Sequence, residues 1–120
     1  MFGLRVDYST LGGRGVFATK NFAKGETVEV CPFVTLYNEE CLGKIEDYVF
    51  QYDDHCYAMV LGYGMIYNHS SRPNIYHEQC KKYSDSYEFF AKRDIKKGEE
   101  LCHNYGKEWW ASRGFIPRRT

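Results

Sequence analysis

A chain of 120 residues predicts one domain, and its 43% hydrophobic and 18% aromatic residues are enough to fill one compact core. Lysine plus arginine and aspartate plus glutamate number 16 each, so the net charge shows no basic excess of the kind that bulk binding to nucleic acid requires. The longest largely apolar run, 59–67, is far too short to span a bilayer. We therefore expect a soluble protein with no membrane partner and no direct nucleic-acid partner.

The cysteines predict free thiols and no metal centre. There are five of them, an odd number, and no two lie at the short spacings of a zinc site or a redox pair. They are Cys31, Cys41, Cys56, Cys80 and Cys102. Unpaired thiols of this kind are typical of a protein from a reducing compartment.

The first motif along the chain is Gly13-Arg14-Gly15. Glycine allows a close approach to a ligand but equally suits any tight turn, so both interpretations stay open for these residues alone. Just after the motif, the segment 17–28 matches 90–101, since each contains Phe-Ala, a polar bend and Lys-Gly-Glu. This repeat predicts two similar β units that bracket the domain.

The segment after Asn38 is the one convincing helix prediction. Asn38 is a plausible N-cap, and apolar residues recur at helical spacing at Leu42, Ile45, Val49 and Tyr52. The region 39–54 holds six acidic residues and one lysine. Such a region is typical of a solvated helix face, although it could also attract a basic peptide. Elsewhere, short strands bounded by turn signals predict a mostly β protein.

Two polar stretches in the second half carry the functional signal. One runs from Asn68 to Asn74 and reads Asn-His-Ser-Ser-Arg-Pro-Asn. The other begins Gly98-Glu99-Glu100-Leu101 and is soon followed by Asn104-Tyr105-Gly106. The first stretch alone would be an ordinary polar turn. In this order and after the glycine motif, the two stretches resemble the signature motifs of SET-domain protein lysine methyltransferases.

The resemblance covers about 5–110, leaves a short tail at 111–120, and is greatest to the small stand-alone SET enzymes of large DNA viruses. It implies one SET domain over 1–120: a mostly β fold of small curved sheets around a pseudo-knot, with one short helix. Many SET cores are followed by a zinc-binding cysteine cluster, which 107–120 lacks. The side of the site that this cluster would form is then expected to come from the partner subunit of a homodimer or from aromatic residues of the tail.

The resemblance also implies the reaction, in which a methyl group passes from S-adenosylmethionine to a lysine side chain and S-adenosylhomocysteine is released. A lysine amine has a pKa of about 10.4 and is protonated at neutral pH, so the site must favour the neutral amine. An aromatic channel does this by penalising the charged form. By resemblance, Tyr105 is the catalytic tyrosine and also touches the cofactor. Without the motif, a core tyrosine with a satisfied hydroxyl is the commoner outcome.

Further site residues follow from the same resemblance. Arg14 and Gly15, chiefly through their backbone, and Asn68 and His69 are expected to bind S-adenosylmethionine, with no metal. For the lysine channel we expect the aromatic residues Tyr48, Tyr67 and Trp109, each of which could instead belong to the core.

His103 stands where many relatives place a Phe or Tyr that limits the number of methyl groups added. An imidazole there should permit at least dimethylation and bring some sensitivity to pH, because histidine titrates near neutrality. The alternative is that His103 points to the far face of its strand.

The substrate is inferred only from the resemblance. It suggests a lysine-containing protein tail, first of all that of histone H3 and its second lysine in an Ala-Arg-Lys-Ser context, the Polycomb silencing mark. A histone substrate would place the enzyme in the nucleus of a eukaryotic cell. The alternative function is a catalytically silent SET module that binds a peptide or the cofactor without turnover.

Overall fold

Nine strands are the main regular elements of the part of the chain that the structure, a computed structural model, describes, namely residues 3–105. Hydrophobic and polar residues alternate along them because successive side chains point to opposite faces of a sheet. The strands are β1 (Leu4–Tyr8), β2 (Arg14–Ala18), β3 (Thr27–Tyr37), β4 (Phe50–Gln51), β5 (Cys56–Val60), β6 (Asn68–His69), β7 (Ile75–Gln79), β8 (Ser86–Ala91) and β9 (Glu100–His103).

Four of these strands form a sheet in the order β1-β2-β9-β6. Strand β9 is antiparallel to β2 and parallel to β6, and the parallel pairing places Asn68 opposite Cys102 and His69 opposite His103. Asn74 also holds β9, because its amide group donates to the carbonyl of Glu100 and accepts from the N–H of Cys102, both at 2.8 Å. The two functional stretches of the sequence are therefore joined at β9, and the expected mostly β fold is confirmed.

The other five strands form a sheet in the order β4-β5-β3-β8-β7. Its inner face supplies much of the core, including Cys31, Ala58 and Phe89, which have no exposed surface. The register between β3 and β8 shifts between Thr27 and Glu29. Such a bulge adds a residue to one strand. As a result, the consecutive side chains of Val28 and Glu29 are both buried.

The two repeated β units are joined as a pair. Phe22 and Ile95 exchange two backbone hydrogen bonds, each of 2.8 Å. On one side of this bridge the N–H of Lys24 donates to the side chain of Asp94, and on the other side the N–H of Lys97 donates to the side chain of Asn21. The predicted equivalence of 17–28 and 90–101 is thus confirmed by matching contacts.

The helical part of the described chain differs from the predicted single helix. It consists of two short 3-10 turns, Asn38–Glu40 and Gly43–Asp47. Between them Leu42 is extended, with φ −113° and ψ 151°, and its side chain is 74% exposed. The Asn38 side chain donates to the carbonyl of Asp54 instead of capping a helix. Within residues 3–105 no helix has the length and apolarity needed to cross a membrane.

Candidate active site

Tyr105 lies just beyond the end of β9 and is held by the segment that contains β6. Its hydroxyl donates to the backbone carbonyl of Tyr67 at 2.9 Å, and its backbone N–H donates to Nδ1 of His69 at 3.1 Å. Because Nδ1 accepts this bond, a neutral His69 ring carries its proton on Nε2. The parallel pairing of β6 and β9 thus brings together Asn68, His69 and Tyr105, three residues that the sequence motifs singled out.

The Asn68 side chain is oriented by hydrogen bonds to Arg14 and Glu100. Its amide nitrogen donates to the carbonyl of Arg14 at 3.1 Å and to Oε2 of Glu100 at 2.8 Å. The other carboxylate oxygen of Glu100 accepts from the Ser9 hydroxyl at 2.7 Å. Since Nδ2 is used in these bonds, Oδ1 is the atom with which Asn68 can accept a hydrogen bond from a ligand.

Gly15 makes room for the Glu100 carboxylate. A Cβ at position 15 would collide with Oε2 of Glu100 and lie 3.1 Å from Nδ2 of Asn68. Glu100 also lines an open cavity of about 250 Å³, together with Ser70, Asn74 and Cys102. Gly15 and Asn68, two of the expected cofactor residues, therefore meet at the Glu100 carboxylate, and the Arg14 carbonyl lies beside them.

The Arg14 side chain points elsewhere, as expected for a residue that acts through its backbone. It is exposed, and its guanidinium lies over the Tyr8 ring at 4.4 Å from the ring centroid.

His103 is the centre of a buried cluster of rings beside Tyr105. Its ring stacks on Phe50 at 5.5 Å and meets the ring of Tyr105 edge-on at 5.1 Å. The rings of Tyr67, His77 and Phe89 also lie within 6.2 Å of it. Of the two orientations that the sequence left open, His103 takes the one facing Tyr105, as the contact between the two rings shows.

Burial lowers the pKa of His103 to about 3, with a smaller contribution from repulsion by His77 and His69. Burial also lowers the pKa of His77. His103 is therefore neutral at physiological pH, and the expectation that its titration near neutrality would make the site pH-sensitive is wrong. The physical reason is that a ring with 5% exposure has too little water to stabilise its charged form.

The other residues expected in the lysine channel differ in burial and in their contacts. The Tyr67 ring is 1% exposed, and its hydroxyl donates to Glu29 at 2.6 Å, so its backbone carbonyl is the part that meets Tyr105. Tyr48 follows the second 3-10 turn and is 45% exposed, and among the described residues its ring contacts none of the rings around His103. Trp109 lies outside the described residues.

Three residues near the site, Ser9, Glu29 and Glu100, are not among the site residues predicted from the sequence. The Glu-Glu pair at 99–100 contained a usable signal, because neighbours on a strand point to opposite faces. Glu99 forms an ion pair with Arg93, and Glu100 turns toward Asn68. Glu29 shares the inner face of β3 with Cys31 and Phe33, so its burial follows the alternation of that strand.

A metal centre has no candidate in residues 3–105, where no group of three or more His, Cys, Asp or Glu side chains is arranged to hold an ion. The five cysteines, all in this part of the chain, are free thiols. The described site thus contains the hydrogen-bonding amide of Asn68, the carboxylate of Glu100 and the uncharged rings around His103.

Comparison with known proteins connects this geometry to one family. Residues 13–106 match the family model described as the SET domain. The Schizosaccharomyces pombe protein named histone-lysine N-methyltransferase, H3 lysine-37 specific, is 28% identical over 103 residues, or 82% of this chain and 69% of that protein. The Caenorhabditis elegans protein set-23, named as a histone-lysine N-methyltransferase, is 31% identical over an alignment of 122 positions, or 76% of this chain and 50% of its own length.

A solved structure of a Plasmodium falciparum protein, described as a candidate histone methyltransferase, agrees in fold. Its TM-score to this chain is 0.77 at 34% identity, and the match covers 92% of this chain and 98% of that one. The match thus spans about two thirds of the S. pombe protein, one half of the C. elegans protein and nearly all of the solved structure. None of these three relatives is viral, and the resemblance to viral enzymes stays a prediction.

Proposed function

Because this chain belongs to the SET domain family and is a protein-lysine N-methyltransferase, we propose that its donor is S-adenosylmethionine and its acceptor a lysine of a histone H3 tail. One observation carries the proposal: the Tyr105 hydroxyl is bonded to the Tyr67 carbonyl beside Asn68 and His69. That arrangement places two oxygen atoms next to an uncharged aromatic surface, as methyl transfer to an amine requires.

The residues around Asn68 fit S-adenosylmethionine, the donor that SET methyltransferases use. When bound, this cofactor supplies a methyl group activated by a positive sulfonium, and it also carries an ammonium and a carboxylate. Oδ1 of Asn68 can accept from the ammonium, and the carboxylate of Glu100 adds negative charge next to Asn68. The missing Cβ of Gly15 keeps this corner open. Arg14 contributes its backbone, and His69 fixes Tyr105.

The ring cluster favours the neutral form of the acceptor amine. His103 is uncharged at neutral pH, and the Phe50 and Phe89 rings that surround it carry no charge. An ammonium loses its hydration against such a surface, so its pKa falls and a larger fraction becomes the nucleophilic amine. No strong general base is then needed.

Tyr105 and Tyr67 orient the amine. A neutral primary amine has two N–H donors, and the hydroxyl oxygen of Tyr105 and the carbonyl oxygen of Tyr67 each keep a lone pair to accept one of them. Holding both donors fixes the direction of the nitrogen lone pair. Orientation of this kind can lower a barrier by several kcal/mol, about 7–11 in favourable intramolecular reactions. Tyr105 is therefore the catalytic residue of the proposal.

The choice of lysine within histone H3 is the most specific part of the proposal. The first candidate is the second lysine in an Ala-Arg-Lys-Ser context, and the name of the S. pombe relative supports lysine 37 of H3 as a second candidate. Acidic side chains in 39–54, most of them exposed, suit a basic tail. Nuclear localisation and a homodimer that completes the site wall belong to the same proposal.

Transfer of labelled methyl groups tests the proposal. The chain is incubated with tritium-labelled S-adenosylmethionine and each core histone, and the labelled lysine is located by mass spectrometry. We expect label on H3, and loss of that label when the modified lysine is replaced by arginine. Label on another histone would contradict the H3 assignment. Binding of the cofactor without label on any protein would instead indicate the silent SET module.

A further inference from the structure

Glu29 is a buried carboxylate that the proposed reaction does not use. It is 5% exposed at the bulge of β3, and among residues 3–105 no cationic side chain forms an ion pair with it. Its Oε1 accepts from the Tyr67 hydroxyl at 2.6 Å, and its Oε2 accepts from the N–H of Tyr63 at 2.9 Å. The Cys31 thiol lies near the same carboxylate. A carboxylate taken from water is costly unless such donors satisfy it, so this set of bonds is strongly maintained.

The turn at 61–66 is built closely around this carboxylate. Gly62 has φ +67°, a conformation that favours glycine, and a Cβ there would lie 2.5 Å from Oε2 of Glu29. The backbone donor of Tyr63 comes directly after it. Glu29 therefore joins β3 to the segment that leads into Tyr67 and the cofactor motif.

Tyr67 connects Glu29 to the catalytic residue. Its ring hydroxyl is bonded to Glu29, and its backbone carbonyl accepts the hydroxyl of Tyr105. The ring is 1% exposed and packs on Phe89 at 5.0 Å, so a change in its position must move the backbone to which it is attached. One residue thus carries both the anchor and the carbonyl that holds the catalytic hydroxyl.

We propose that Glu29 is a positioning residue, which through Tyr67 fixes the carbonyl that holds the Tyr105 hydroxyl. This inference rests on the proposed function, because it assigns Glu29 a part in that same reaction. Glu29 does not touch the reacting atoms. Its contribution is the fixed distance between Tyr67 and Tyr105, and a shift of about 1 Å at such a site can reduce turnover on the order of 100-fold.

Two substitutions separate this role from simple stabilisation of the fold. Tyr67→Phe removes only the hydroxyl, and Glu29→Gln keeps the shape but replaces one acceptor oxygen by an NH2 donor, so it cannot accept from both Tyr63 and Tyr67 as the carboxylate does. The matched controls are Tyr76→Phe and Glu88→Gln, which lie on the face of β7 and β8 opposite to His77 and Phe89. We expect Tyr67→Phe and Glu29→Gln to lower kcat roughly 10- to 100-fold, with KM for S-adenosylmethionine within about twofold of wild type. Both controls should keep wild-type kcat.

Repeating the Tyr67→Phe substitution in the Tyr105→Phe variant tests whether the loss of kcat depends on the Tyr105 hydroxyl. In Tyr105→Phe there is no hydroxyl to position, so adding Tyr67→Phe should cause a smaller further loss of single-turnover rate than it causes in wild type, because only the bond from the amine to the Tyr67 carbonyl is still affected. The same full loss in both backgrounds would overturn the proposal, as would an unchanged kcat in Tyr67→Phe. If Glu29→Gln does not fold, the results for Tyr67→Phe alone decide whether the positioning proposal holds.

Amide hydrogen exchange separates failure of this inference from failure of the proposed function. The N–H of Tyr105 donates to His69, two residues beyond Tyr67, and reports the same geometry without any substrate. If the wild type transfers no methyl group, the proposed function fails. Faster exchange of this amide in Tyr67→Phe than in Tyr76→Phe would then still support positioning, and equal exchange in the two would overturn it.

Discussion

The side chain of Asn68 and the carboxylate of Glu100 form a hydrogen bond of 2.8 Å, although 32 residues separate them. The bond exists because β6 and β9 are neighbours in the four-stranded sheet. It orients the amide of Asn68 and leaves Oδ1 as the acceptor for a ligand ammonium. Cofactor affinity should therefore depend on Glu100, a residue that touches Asn68 and also lines the open cavity.

Glu100→Gln should weaken binding of S-adenosylmethionine about 10- to 100-fold. A hydrogen bond to a charged group contributes about 1.5–3 kcal/mol, and the substitution removes both the charge and one acceptor from the pair with Asn68 and Ser9. Isothermal calorimetry measures the affinity directly. The exposed Glu78→Gln on β7 is the control and should bind like wild type. Equal affinity for wild type and Glu100→Gln would remove Glu100 from the cofactor site.

The low pKa of His103 predicts a fold that loses stability in acid. The folded pKa of about 3 lies below the ordinary value of 6.5, so the unfolded chain binds the proton more strongly. Stability from the neutral ring is present above pH 6.5 and declines as pH falls toward 3. At pH 5 this one residue should cost about 2 kcal/mol relative to pH 7. The pKa of His77 is lowered in the same direction.

Urea unfolding at pH 7 and pH 5 measures this effect. We expect His103→Phe to reduce the difference in unfolding free energy between the two pH values, because a phenyl ring cannot bind a proton. Substitution of the exposed His55 by Gln should leave that difference as in wild type. If His103→Phe shows the same loss of stability in acid as wild type, His103 is not the buried neutral group described above.

His103 should also affect how many methyl groups are added. Its ring contacts that of Tyr105 at 5.1 Å, and no described group forms a hydrogen bond with its Nδ1. The imidazole is smaller than a tyrosine ring, so wild type should reach at least the dimethyl state. His103→Tyr adds bulk and a hydroxyl next to Tyr105 and should shift the products toward monomethyl lysine. Mass spectrometry reads the distribution, and identical products from wild type, His103→Phe and His103→Tyr would exclude this role.

The features that could be predicted from the sequence are those encoded by local patterns. The repeat of Phe-Ala and Lys-Gly-Glu identified the two β units, and Phe22 and Ile95 pair across them. The motifs at Asn68 and Tyr105 predicted one site, and the parallel pairing of β6 and β9 joins them. Residues within each motif are close in sequence, so their types and spacing carry the information.

The features that could not be predicted depend on contacts between distant segments. Leu42 has helical spacing with its neighbours, yet it is extended and exposed between two 3-10 turns. Glu29 lies on the inner face of β3 with Cys31 and Phe33, but its partners Tyr63 and Tyr67 are 34 and 38 residues away in the sequence. The low pKa of His103 comes from rings on several other strands. None of these partners is marked in the sequence around the residue concerned.

The most direct test of the central claim is methyl transfer to histone H3 by wild type and Tyr105→Phe, measured with labelled S-adenosylmethionine at saturating substrate. The substitution keeps the ring against His103 and removes the hydroxyl bonded to the Tyr67 carbonyl. We predict a fall in kcat of about 100- to 10,000-fold, with cofactor binding and thermal stability close to wild type. Near-normal transfer by Tyr105→Phe would contradict the claim that this hydroxyl, held by Tyr67, is the catalytic group.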